Sequence, residues 1–223
     1  MNAPLRLVLF DVDGTLVDSQ GSITSAMTAS FEALSLPVPN RDATLSIVGL
    51  SLPQAMARLA PDQPAPVQDQ LVEEYKLAYH AQRLEHGAAS SPLYPGARAV
   101  VEALHAQPET LLGVATGKSK RGLDALLDAH DLRKFFVTCQ VADHHPSKPH
   151  PSMIETALAD TGVSAGNAIM VGDTSYDMDM AKAAQVTGVG VSWGYHHRSA
   201  LGAAACVIDR FEQLPDVLDG IWG

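Results

Sequence analysis

Cysteine is nearly absent: Cys139 and Cys206 are the only two, far apart and in no paired motif. That leaves no disulfide framework and fits two buried thiols in a reducing compartment. Basic residues are also scarce, 15 Lys and Arg against 25 Asp and Glu, for a net charge of −10. Nucleic acid and anionic membrane both reward a basic surface, so both are disfavoured as partners. An acidic chain can still hold a small anion where a pocket supplies local positive charge. No apolar stretch approaches the length of a membrane span. The N-terminal run in MNAPLRLVLF stops at Asp11, too short for the core of a signal peptide. Polar low-complexity tracts and internal repeats are missing too, and the chain is expected to be soluble and cytoplasmic.

Apolar residues make up 46% of the 223 residues, enough for one large domain or a core with a smaller second one. Strand-like runs recur at 5–10, 111–116, 135–140, 168–172, 186–191 and 206–208. Several are continuously apolar, as strands buried on both faces of a parallel sheet are. Helical patterns separate them at 97–105, 119–130, 152–160 and 178–184, so the core is predicted to be an open α/β sheet of Rossmann-like type. About a hundred positions lie between the first two strands, where a strand–helix–strand unit needs roughly 30. The surplus reads as helical, with one apolar face on Ile23, Met27, Phe31 and Leu34 and another on Val67, Leu71, Tyr75 and Ala78. Ser51 and Gln54 in SLPQ have the spacing of a capping box. The predicted division is a catalytic core at 1–15 and 92–223 and an inserted all-helical cap at 16–91.

Four polar clusters follow strand-like runs: Asp11 and Asp13, then Thr116-Gly117-Lys118-Ser119, then Lys148, then Asp173 and Asp177. In an open parallel sheet ligands bind beyond the carboxyl ends of the strands, so all four should converge on one rim. Carboxylate oxygens are what Mg²⁺ prefers, and a cation would offset the repulsion between crowded aspartates. Thr116 and the Gly117 amide could hold a phosphate oxygen, and Lys148 could neutralise a carboxylate and a phosphate together. Side chains two apart on an extended segment point the same way, so Asp11 and Asp13 can reach one group.

DVDGT, VATGKS, SKPHP and GDTSYDMDMA, in this order, resemble the four motifs of the haloacid dehalogenase-like hydrolases. With the helical insertion, the resemblance is to the subgroup that holds phosphoglycolate phosphatase and β-phosphoglucomutase. It implies that Asp11 is the nucleophile forming an aspartyl-phosphate and that Asp13 is the general acid and base. It further implies Mg²⁺ held by Asp11, the Asp13 main-chain carbonyl and Asp173, phosphate held by Thr116, Gly117 and Lys148, and support from Asp177. Gly14 and Thr15 open the turn toward the cap. Members that cleave carbon–halogen bonds typically lack the second aspartate, so Asp13 implies an oxygen leaving group. The expected activity is hydrolysis of a small soluble phosphate ester, phosphoglycolate-like. A phosphosugar mutase and a non-catalytic binding protein are the alternatives, and oligomeric state is left open. His144, His145 and His150 show no tetrahedral spacing, and they, His196 and His197 are expected to be polar loop residues. Tyr195 is a candidate rim residue, Lys118 is either a pocket cation or a solvated side chain, and Trp193 and Trp222 should pack. Arg41, Arg58, Lys76 and Arg83 are candidates for a second anionic group of the substrate.

Overall fold

The computed structural model describes residues 4–223. Six parallel strands, β1 (Arg6–Phe10), β2 (Thr110–Thr116), β3 (Thr138–Val141), β4 (Ala168–Gly172), β5 (Thr187–Val191) and β6 (Cys206–Ile208), form one sheet in the order β3-β2-β1-β4-β5-β6. Their apolar runs are continuous because both faces are covered. In β1, Val8 and Phe10 join a core with Leu123, Leu127 and Leu214, whereas Leu7 and Leu9 join one with Met153, Ile154 and Met180 on the other face. Helices α5 (Ala97–His105), α6 (Lys120–Ala129), α7 (Ser152–Thr161), α8 (Ser175–Ala183) and α9 (Leu214–Trp222) supply those layers. Strand order reverses between β1 and β4, the switch point where a crevice opens beyond the strand ends. Cys139 on β3 and Cys206 on β6 sit at opposite edges of the sheet, and both are free thiols.

Four helices, α1 (Gln20–Ala33), α2 (Arg41–Ser46), α3 (Leu52–Leu59) and α4 (Ala65–His86), lie between β1 and α5. Met27, Phe31, Met56, Leu71 and Tyr75 form a separate apolar core among them. The two crossing segments pair, with the Asp18 N–H donating to the Pro92 carbonyl (2.8 Å) and the Tyr94 N–H to that of Leu16 (3.0 Å). Leu16 and Val17 pack into the sheet core. No helix among the described residues is long and apolar enough to cross a membrane.

Three local expectations change. β3 starts at Thr138 rather than 135, because Arg133–Phe135 closes a 3₁₀ turn that seats Phe135 in the core. Helix α8 starts at Ser175 rather than 178, because Thr174 and Asp177 form a capping box there. Ser51 precedes α3 but makes no side-chain cap. Its N–H, which Gln54 would have taken, donates instead to Ser147 Oγ at 2.8 Å.

Leu71 is wholly buried on α4, whereas Leu77 on the same helix is 63% exposed. Leu71→Ala should therefore cost about 2–5 kcal/mol in urea unfolding, and Leu77→Ala within about 0.5 kcal/mol of zero.

Candidate active site

β1 ends in the core and delivers Asp11 to the switch point, where its N–H donates to the Val171 carbonyl of β4 (2.9 Å). Lys148, from the loop after β3, is fully buried beneath it. Its Nζ lies 2.8 Å from Asp11 Oδ1 and 2.6 Å from Asp177 Oδ1. Asp177 serves two tasks with separate oxygens, since its Oδ2 accepts from the Thr174 N–H (3.1 Å) and hydroxyl (2.7 Å) at the start of α8. Asp173 accepts from Thr15 Oγ1 at 3.1 Å and from the Tyr195 N–H at 2.8 Å. Gly14 closes the turn at φ +88°, and a Cβ there would stand 2.2 Å from Asp173 Oδ2. Glycine is required twice over, for the backbone and for the approach.

Burial pushes the Asp11 carboxyl up to about 7, with Asp177 and Asp13 adding to the rise and Lys148 opposing it. Asp173 is raised as well, first by burial and then by Asp11 and Asp177. Lys148 is desolvated too, but its two aspartates hold its proton more tightly than an exposed lysine's. Asp11 Oδ2 is buried and has no hydrogen-bond partner among the described residues. Carboxylate oxygens of Asp11, Asp173 and Asp177 lie within 4.8 Å of one another. Three crowded carboxylates, all hard oxygen donors, fit a divalent cation.

Asp13 faces the same cavity as Asp11, but its side chain turns away from that cluster. It pairs with Lys118, whose Nζ lies 2.9 and 2.8 Å from its two oxygens, and accepts from Ser19 Oγ at 2.5 Å. Ser19 is held in turn by Tyr195, whose hydroxyl accepts from the Ser19 N–H at 2.8 Å. Lys118 also reaches the Tyr79 hydroxyl at 3.2 Å. It is thus the pocket cation of the two possibilities its sequence context leaves open. The cavity holds about 180 Å³, with Asp11, Asp13, Thr116 and Gly117 on one side and Val48, Leu50 and Tyr75 on the other. Thr116 is buried, and its Oγ1 accepts from the Lys118 N–H at 3.2 Å. A Cβ on Gly117 would meet the Gly49 carbonyl oxygen at 2.4 Å, so the loop before α3 rests directly on this turn.

His145, His150, His196 and His197 lie in loops, and His144 ends a 3₁₀ turn. His144 and His150 are exposed, and His145 spans Ser152 Oγ and Gln140 Oε1, each at 2.8 Å. His196 ties α8 to the insertion, accepting from the Ser175 N–H (3.2 Å) and donating to the Ser46 carbonyl (3.1 Å). Trp193 packs on Phe211 at 4.6 Å between centroids, and its indole N–H donates to the Thr15 carbonyl. Ser19, Thr174 and the support role of Tyr195 escape a reading by motif. The one available signal was Thr174 three residues before Asp177, a capping-box spacing.

Asp11 titrates near 3.8 when unfolded and about 7 when folded. A raised carboxyl means that the folded state binds the extra proton, so this group's contribution destabilises progressively as pH rises through that window. In EDTA, urea unfolding of the wild type should lose stability between about pH 4 and about pH 7 relative to Asp11→Asn. Parallel profiles for the two proteins would contradict the assignment.

Residues 8–191 match the haloacid dehalogenase-like hydrolase family. The protein named "Probable phosphatase IndB" of Dickeya dadantii is 36% identical over 214 residues, 93% of this chain and 91% of that protein. A phosphoglycolate phosphatase of Pseudomonas savastanoi pv. phaseolicola is 32% identical over 223 residues, 96% of this chain and 80% of that one. A haloacid dehalogenase-like family hydrolase from Streptococcus pneumoniae shares the fold with a TM-score of 0.82 at 23% identity, over 96% of this chain and 98% of its own. So does a β-phosphoglucomutase from Clostridium difficile, with a TM-score of 0.84 at 18% identity, over 98% and 97%. With the matched motifs lying on the strand ends described above, the chain belongs to the haloacid dehalogenase-like hydrolase family.

Proposed function

We propose that this hydrolase is a Mg²⁺-dependent phosphomonoesterase working through a phosphorylated Asp11, on a small phosphate ester of the phosphoglycolate kind. The observation that carries the reading is the unequal treatment of the two Asp11 oxygens. Oδ1 is pinned by Lys148 while Oδ2 has no partner among the described residues, and Asp11 lines the cavity. A carboxylate so held has one oxygen fixed and one free to attack. The relatives named phosphatase and phosphoglycolate phosphatase support the reaction class and the substrate guess.

In the first half-reaction Asp11 Oδ2 bonds to phosphorus, the bond from phosphorus to the ester oxygen breaks, and Asp13 gives that oxygen its proton. In the second, Asp13 takes a proton from water, whose oxygen bonds to phosphorus as the bond from phosphorus to Asp11 Oδ2 breaks, so that phosphate leaves and the Asp11 carboxylate is restored. Ser19 and Lys118 aim the Asp13 carboxylate at the cavity. Thr116, the Gly117 amide and Lys148 hold the phosphoryl oxygens. A bound Mg²⁺, held by Asp11, Asp173 and the Asp13 main-chain carbonyl, would add positive charge against those oxygens. Asp177 steadies Lys148. The four helices act as a cap, and the paired segments around 16–18 and 92–94 are its hinges, closing the cavity to water during transfer.

Phosphate release from a panel of monoesters should require Mg²⁺ and stop in EDTA. Asp13→Asn should lower kcat about 10²–10⁴-fold, and Asp11→Asn should leave no turnover. Full activity in Asp11→Asn would overturn the assignment of the nucleophile.

A further inference from the structure

Where α4 faces the first turn of α6, three cationic or polar side chains meet on the cavity wall. Arg83 Nη2 lies 2.8 Å from His80 Nδ1, and Arg121 Nη2 lies 3.0 Å from His80 Nε2. All three line the cavity that holds Asp11 and Asp13. A neutral imidazole has one lone pair and one N–H, so it can accept from only one of the two guanidiniums. The other arginine faces an N–H, and nearly all of the N–H groups of both forks are left without an acceptor there. Among the described residues, neither arginine has a carboxylate within salt-bridge distance. Partial desolvation, then Arg121 and Arg83, keep His80 below its ordinary pKa, so it stays a neutral spacer.

The other cationic candidates have other partners. Lys76 pairs with Glu73 at 2.7 Å, Arg58 donates to the Tyr176 hydroxyl at 2.6 Å, and Arg41 donates to Gln20 Oε1 and lies 3.9 Å from Asp42. In a chain of net charge −10, two facing guanidiniums without a counter-ion on an active-site wall amount to a prepared anion site. A guanidinium fork matches carboxylate and phosphate alike. The same cavity is also lined by the apolar side chains of Ile23, Met27, Val48, Leu50 and Tyr75.

Resting on the phosphatase reading, we infer that Arg83 and Arg121 bind a second anionic group at the far end of the substrate. The substrate class is a phosphate monoester whose leaving group is a short carbon segment ending in a carboxylate or a second phosphate. The apolar wall takes the carbon segment, and the His80-spaced pair takes the terminal charge. Arg83 comes from the helical insertion and Arg121 from the sheet domain, so one terminal anion contacts both parts of the chain.

The test uses three series of matched length on the full chain with Mg²⁺: ω-phosphooxy carboxylates, alkanediol bisphosphates and n-alkyl phosphates, with p-nitrophenyl phosphate as an uncharged-leaving-group reference. Wild type should favour the best terminally anionic ester over its alkyl counterpart by about tenfold or more in kcat/KM. The better of the carboxylate and bisphosphate series identifies the terminal group. Arg83→Gln and Arg121→Gln should each shrink that preference to about twofold or less, mainly through KM, with partial recovery in Arg83→Lys. A wild-type ratio near one at every length, or variants that keep the ratio, would overturn the subsite. Dissociation constants for the same pairs on Asp11→Asn protein give the ratio without turnover. Absent hydrolysis of every ester, the reference included, would count against the phosphatase reading, and the binding ratio would still decide the subsite.

Discussion

One buried ammonium organises this molecule. Lys148 is fully enclosed, and its Nζ joins Asp11, 137 positions away in sequence, to Asp177, 29 positions away. Burying charges is costly, and removing one partner from such a group leaves the others unpaired in a medium that solvates them poorly. The arrangement therefore fixes position more than it adds stability. The loop after β3 must cross toward β1, β1 must end where it does, and α8 must begin where its third residue can turn one oxygen to the lysine. The switch point at β1 and β4 is where those demands are met together.

A second lysine does for Asp13 what the first does for Asp11. Lys118 holds the Asp13 carboxylate from the sheet side, and Ser19 holds it from the segment that leads into α1. Tyr195 fixes Ser19, and the Tyr195 N–H fixes Asp173. A short chain of contacts thus links the first helix of the insertion to the carboxylate cluster. The loop before α3 sits on Gly117, and His196 donates to the Ser46 carbonyl. The insertion and the segment leading into it thus meet the rim of the sheet at Asp13, at Gly117 and, through His196, at the start of α8.

The sheet was legible because continuous apolar runs have one economical explanation, burial on both faces. Asp11 and Asp13 were legible because an apolar strand that ends in carboxylates needs a chemical reason, and Lys148, Asp173 and Asp177 because the motifs around them resemble the family's. Side chains whose role depends on distant partners were not. Lys118 looks the same in sequence whether it is solvated or buried, and only the fold brings it to Asp13, 105 positions away. Tyr195 meets Ser19 across 176 positions. The Ser51 box fails for the same kind of reason, since Ser147 takes the amide that the local pattern reserves for Gln54. Arg83 was visible as one of several cations on the helical insertion, but its pairing across His80 with Arg121 belongs to the tertiary structure.

The central claim is that Asp11, held at one oxygen by Lys148, becomes phosphorylated at the other. Borohydride reduction of protein quenched during turnover, followed by peptide mass spectrometry, reads this directly, because an acyl phosphate is reduced and a free carboxylate is not. Conversion of residue 11 to homoserine, dependent on both substrate and Mg²⁺, is the result expected. Unmodified Asp11 in protein that releases phosphate at its full rate, or reduction at Asp13 instead, would contradict the account.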